Sequence, residues 1–157
     1  MILVTVGTQK FPFDRLIEEV DKLAVQQKIK ESVFMQIGTS KYIPKYCEYE
    51  RYLPAEALAE KLKSCSLLIT HSGVGMIRAA CAEGKPIIVV PRKKEYGEHI
   101  DDHQIEIAKS FDRAHHVCLC QDSDDLEECI DKARHMTFEK MKSGEKKIEE
   151  IILKFIS

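Results

Sequence analysis

Three phrases in this 157-residue chain hold side chains suited to gripping an anion and a polyhydroxylated ligand: "VGTQKF" at residues 6–11, "THSGVG" at 70–75 and "GEHIDDHQ" at 97–104. In the second, Ser72 supplies a hydroxyl, while Gly73 and Gly75 supply backbone without side chains. A phosphate can then approach the N–H groups that open a following helix. The first phrase offers Gly7 for a sharp turn, with Thr8, Gln9 and Lys10 as donors. The third gathers a carboxylate, two imidazoles and an amide at Glu98, His99, His103 and Gln104, a set that can hydrogen-bond sugar hydroxyls. Each phrase also has a plainer reading. Gly73 and Gly75 suit a tight strand-to-helix turn, "GTQK" is a polar connection, and Asp101 with Gln104 three residues on makes a capping box that starts a helix without any ligand. There is no Walker lysine pattern and no GxGxxG, which argues against ATP hydrolysis and dinucleotide binding. His99, Asp102 and His103 are metal-ligand types but do not share one helical face, so no metal and no cofactor is expected.

The placement of these phrases makes them one hypothesis. Short apolar runs at residues 2–6, 33–37, 67–70, 87–90 and 116–119 alternate with amphipathic segments at 13–26, 54–62, 75–82, 101–111, 124–133 and 138–155. That alternation predicts an α/β fold, a Rossmann-like parallel sheet with helices on both faces. Ligands of such sheets bind beyond the carboxyl ends of the strands. The three phrases follow the first, third and fourth runs. The length suits one packed domain, expected over residues 1–135, followed by a C-terminal helix over 136–157.

A net charge of −2 and a pI near 6.3 provide no basic field, so nucleic acid is not an expected partner and an anion must be held by a local site. No run approaches the ~18 apolar residues of a membrane span, and the opening "MILVTVGTQK" lacks the layout of a secretory signal. A cytoplasmic location is expected. The six cysteines form no CxxC pair and read as reduced, mostly buried thiols.

The stretches "VTVGTQKFPFDRLI", "MQIGTSKYIPKYCEYERYLP", "LLITHSGVGMIRAACAEGKPIIVVPR" and "YGEHIDDHQIEIAKSF", in order over about residues 1–120, resemble the glycosyltransferase family 28 C-terminal domain. The likeness is to the single-domain branch that works as half of a split enzyme. It is nearest in character to the small subunits of bacterial capsular and exopolysaccharide glycosyltransferases of the PssE or EpsF type. The dolichol-pathway N-acetylglucosaminyltransferase catalytic subunit and the MurG C-terminal domain are further off. The resemblance implies one half, the C-terminal one, of a GT-B fold, with a UDP-sugar as donor and a polyprenyl-diphosphate-linked sugar as acceptor. A membrane-associated partner subunit would supply the acceptor-binding half. Carried onto this chain, it places Gly7 and Thr8 beside the diphosphate, counts Gln9 among the substrate contacts, and makes Ser72, Gly73 and Gly75 the second phosphate-side loop. Asp102, His103 and Gln104 would face the donor sugar, and Pro91 and Arg92 the nucleoside. Many relatives carry a carboxylate near the first turn of the helix after "HSGVG" to grip the ribose. Here that position is Ala79, and Glu83 is too far along the helix to replace it.

The reaction implied is direct displacement at the anomeric carbon, in which the leaving diphosphate needs charge stabilisation and the acceptor hydroxyl needs a base. Loop N–H groups with Lys10 or Arg92 suit the first task. His71, His99 and His103 are bases by chemistry, but no catalytic residue is assigned, because the base often belongs to the other half. A noncatalytic stabilising subunit is the alternative favoured by Ala79. An epimerase would need a second domain that the length excludes. A homodimer is the one arrangement in which the isolated chain could close such a cleft. Phe138, Met141, Ile148, Ile151, Ile152 and Phe155 recur as one helical stripe, read either as packing on the chain's own sheet or as a partner-docking surface.

Overall fold

The computed structural model describes residues 1–139. Six strands make one wholly parallel sheet: β1 (Ile2–Thr5), β2 (Val33–Gln36), β3 (Glu48–Glu50), β4 (Leu67–Thr70), β5 (Ile87–Val89) and β6 (Cys118–Leu119). Their order is β3-β2-β1-β4-β5-β6, so the chain works outward from β1 in one direction and then returns to continue from β4 in the other. Among the described residues five α-helices accompany them: α1 (Asp14–Val25), α2 (Ala55–Ser64), α3 (Val74–Ala82), α4 (His103–Arg113) and α5 (Leu126–His135).

Every residue of β1, β2, β4 and β5 is buried, as continuous apolar runs covered on both faces require. The period of two divides each run between two cores. Ile2, Val4, Met35, Leu67 and Ile69 pack with Leu16, Ile17 and Val20 of α1 and Leu126 and Ile130 of α5. Leu3, Phe34, Leu68, Ile87 and Val89 face the other way, against Leu62 of α2, Ile77 and Ala80 of α3, and Ala108 and Phe111 of α4. The sheet with helices on both faces is thus the expected one, and all five expected strands are present. The six cysteines are free thiols, five of them buried. Among the described residues no helix is long and apolar enough to cross a membrane.

β3 was not among the expected strands. Its three residues, Glu-Tyr-Glu, are all exposed at the sheet edge and offer no apolar signal. It is reached from β2 by residues 37–47, a crossover without a helix, whose backbone groups must find partners elsewhere. Two carboxylates of α1 provide them. Asp14 accepts from Ser40 Oγ (2.6 Å) and from the N–H groups of Lys41 (2.7 Å) and Tyr42 (2.9 Å). Asp21, 1% exposed, accepts from Tyr42 Oη (2.7 Å) and from the N–H groups of Lys45, Tyr46 and Cys47 at 2.9–3.1 Å. Burial alone would raise the Asp21 carboxyl, but these four donors outweigh it and hold the group below its ordinary value.

The expected C-terminal helix does not begin at Phe138. Residues 136–139 have no regular secondary structure. Glu139 N–H donates to His115 O (2.8 Å), and His116 Nδ1 donates to Glu139 O (2.7 Å). The apolar stripe from Met141 onward lies outside the described residues.

Asp21→Ala takes the shared acceptor from four donors of the 37–47 crossover, of which the N–H of Cys47 is buried, and the expected cost is about 1–3 kcal/mol in urea denaturation at pH 7. Because the folded carboxyl is depressed, its contribution is complete above the unfolded value of about 3.9 and fades as pH falls through the lower folded value. The parent should therefore lose stability more steeply than the variant on acidification below about pH 4.

Candidate functional site

The carboxyl ends of β1 and β4 lie side by side where the strand order reverses, the point at which open α/β sheets leave a crevice. Thr5 and Thr70 mark the junction with a hydroxyl-to-hydroxyl bond of 2.8 Å. Beyond them, the two glycine loops close on one ring. A Cβ built at Gly7 and one built at Gly73 would each lie 2.7 Å from His71 Nε2. Neither position has room for a side chain, and Gly7 also has φ +77°.

The Gly7 loop is held from below by Gln36, at the end of β2. Its Oε1 accepts from Val6 N–H (3.1 Å) and Gly7 N–H (3.0 Å), and its Nε2 donates to the carbonyls of Gly7 and Arg51, both at 2.9 Å. Gly7 N–H is therefore not offered to a ligand. What the loop presents is a bare Cα, followed by the exposed Thr8, Gln9 and Lys10.

α3 begins immediately beyond Gly73. It has no side-chain cap and no acidic residue in its first turn, so the N–H groups of that turn face outward in a favourable field. Gly75 lies in this turn, exposed, with no atom within 4 Å of where its Cβ would be. Its lack of a side chain is not needed for packing.

Other expected contacts lie deeper than the sequence implied. Ser72 is buried, and its hydroxyl donates to Gln104 O at 2.7 Å. Gln104 is 5% exposed; its Oε1 accepts from Arg92 N–H (3.1 Å) and its Nε2 lies 3.2 Å from His71 Nδ1. It neither completes a capping box nor faces outward to a sugar. Asp102, the residue before α4, makes no side-chain cap, and Asp101 accepts from His103 N–H at 3.0 Å. Arg92, expected beside the nucleoside, is fully buried: Nη2 donates to Val6 O (2.5 Å), Nη1 to Phe11 O (2.7 Å) and Glu98 O (3.2 Å), and Nε to His71 Nδ1 (3.4 Å). Burial lowers its pKa to about 10, which leaves it charged at neutral pH. Glu98 is likewise buried and binds Arg15 Nε and Nη2, both at 3.0 Å. Asp102 accepts from Lys94 N–H (2.9 Å). His103 stays exposed beside Asp101, whose carboxylate also contacts His99 (3.2 Å). Among the described residues no group of three or more His, Cys, Asp or Glu is placed to hold a metal ion.

His71, to which the sequence assigned no role, is the residue on which the two glycine loops, Arg92 and Gln104 converge. Burial, and next the charge of Arg92, lower its pKa to about 3, so the ring is neutral at physiological pH and a poor candidate for a base. Beside it lies a pocket of about 90 Å3 lined by Thr5, Gly7, Thr8, Gln36, His71 and Met76, with Tyr52 and Leu53 from the β3–α2 connection and Leu58 from the first turn of α2. This is well below the ~300–1,000 Å3 of a complete ligand site. A hollow of about 510 Å3 against α1 is larger, but five acidic side chains to two basic ones line it, which disfavours an anion.

Residues 1–154 match the model of the glycosyltransferase family 28 C-terminal domain. The chain is 30% identical over 128 residues to the UDP-N-acetylglucosamine transferase subunit ALG13 of Homo sapiens, covering 76% of this chain and 11% of that protein. It is 29% identical over 143 residues to the protein of that name from Yarrowia lipolytica, covering 80% and 67%. The chain thus spans about a tenth of the human relative. Among solved structures, the NMR solution structure of ALG13 superposes with TM-score 0.65 at 18% identity, over 97% of this chain and 94% of that one. MurG of Acinetobacter baumannii superposes with TM-score 0.57 at 17% identity, over 84% and 41%. These neighbours share the Rossmann-like sheet of GT-B glycosyltransferases.

Gly73→Ala drives a methyl group into His71 and is expected to cost about 1–3 kcal/mol in thermal unfolding. Gly75→Ala meets open space and improves helix propensity, so its melting temperature should equal or slightly exceed that of the parent. Equal destabilisation by both substitutions would contradict this geometry.

Proposed function

The chain belongs to the glycosyltransferase family 28 C-terminal domain family, and from that premise we propose that it is the donor-binding subunit of a UDP-sugar-dependent split glycosyltransferase. The observation that carries the reading is the meeting of two glycine loops over His71 beside the uncapped start of α3. A diphosphate there would receive the first-turn N–H groups of α3 and a ring N–H from His71. Donors already in place stabilise the charge that develops on a leaving diphosphate without reorganising. The small pocket at Tyr52, Leu53 and Leu58 fits one ring of the nucleoside, replacing the expected position near Pro91 and Arg92. Thr8, Gln9, Asp102 and His103 remain on the exposed rim, from which the sugar can be reached.

So shallow a site leaves donor and acceptor without an opposing wall. In this proposal a membrane-associated partner supplies it together with a polyprenyl-diphosphate-linked acceptor, and residues 136–157 contribute to docking. The chain itself would be cytoplasmic and peripheral to the membrane, and the product a hexose-extended lipid-linked sugar of polysaccharide biosynthesis. That the relatives are UDP-N-acetylglucosamine transferase subunits supports both the donor class and the partner. One observation favours the alternative of a noncatalytic stabilising subunit: Ala79 is exposed on α3 with no carboxylate to offer a ribose, while Glu83 lies at the far end of that helix.

Calorimetric titration of UDP into the purified chain separates the two readings. The donor subunit binds UDP, and His71→Ala weakens binding roughly ten- to hundredfold, the worth of one hydrogen bond to a charged group. No binding to the chain, alone or with its partner, would leave the stabilising subunit. With a lipid-linked acceptor, the isolated chain is expected to show little transfer until the partner is added, because one wall cannot hold both substrates in reactive geometry.

A further inference from the structure

Two neighbours decide which nitrogen of His71 carries the proton. Gln104 Oε1 accepts the N–H of Arg92, and a backbone N–H can only donate, so the amide orientation is fixed. The side-chain NH2 of Gln104 must then face His71 Nδ1, 3.2 Å away. The Nε–H of Arg92 points at the same atom from 3.4 Å. An atom faced by two donors must be the bare, accepting nitrogen of a neutral imidazole, which leaves the proton on Nε2. Nε2 has no hydrogen-bond partner among the described residues, and it is the atom against which Gly7 and Gly73 close.

We infer that Gln104, with Arg92 behind it, is a positioning residue that locks His71 in the Nε2-protonated tautomer and so keeps one N–H aimed between the two glycine loops. The inference rests on the proposed reading of that cleft as the diphosphate site. It gives the amide of the "DDHQ" phrase a different task from contact with a sugar: it acts on the ligand through the imidazole. Three further bonds hold the lock. Ser72 Oγ ties the carbonyl of Gln104 to the His71 loop, and Arg92 is anchored by the carbonyls of Val6 and Phe11. The ring is held in one protonation state and one orientation by groups that never touch the ligand, as happens when outer partners orient a ligand-binding imidazole.

The test is a long-range 1H–15N correlation spectrum of the 15N-labelled chain at pH 7, without ligand and then with saturating UDP. In the free chain, His71 is expected to show a bare Nδ1 and a protonated Nε2, and Nε2 is expected to shift on addition of UDP. Gln104→Glu replaces a donor by a carboxylate and should draw a proton onto Nδ1. Gln104→Met removes the donor without adding charge; it should give mixed tautomers and weaken UDP binding roughly three- to tenfold while the chain stays folded. A protonated Nδ1 in the parent, or an unmixed Nε2–H tautomer in both variants, overturns the lock whether or not UDP binds. A correct tautomer with no response of His71 to UDP overturns the reading of the cleft instead, so the two failures are distinguishable.

Discussion

The guanidinium of Arg92 has no surface in water, and its desolvation is offset only because four stretches of chain bring acceptors to it. Val6 O comes from the end of β1, Phe11 O from the loop before α1, Glu98 O from the loop before α4, and the imidazole of His71 from the end of β4. The ring of Phe13 lies 5.0 Å from the same group. If any one segment moves away, a buried donor loses its acceptor, so the loops at the switch point are mutually enforced. The glycine loops, the tautomer of His71 and the start of α4 all inherit their positions from this hub.

One consequence is the division of labour between buried and exposed polar groups. Ser72, Gln104, Glu98 and Arg92 have the chemistry expected of ligand contacts but spend it on one another and on the backbone. The groups left to face outward are few: the first turn of α3, the ring N–H of His71, and the rim at Thr8, Gln9 and His103. Under the proposed reading, such a site would hold an anion by oriented neutral donors rather than by mobile lysines. That suits a pocket whose protein carries a net charge of −2.

The strands that form the sheet were legible because burial on both faces demands continuous apolar runs, and β1, β2, β4 and β5 are such runs. β3 was not, since an exposed three-residue edge strand is specified by its neighbour and by Asp14 and Asp21 rather than by its own composition. In the site, sequence spacing correctly gathered the three phrases at one sheet edge, because strand ends and helix starts follow from periodicity. It could not tell inward from outward. Gln104 in "DDHQ" and Arg92 after "VVP" have the same identity whether they touch a ligand or a backbone carbonyl, and only the register of α4 against the Arg92 loop separates the two. Gln36 carried no motif at all; its role appears only once β2 ends level with Gly7.

The exposed edge at β3 also bears on how copies of the chain can meet. Sheet edges invite a further strand, and proteins blunt them with charge. A second copy laid antiparallel along this edge and centred on Tyr49 would set Glu48 of each chain against Glu50 of the other, two pairs of like charge directly opposed. Extension of the sheet from molecule to molecule is thereby disfavoured at neutral pH. The carboxylates that make β3 unreadable as a strand also oppose its pairing with a second copy.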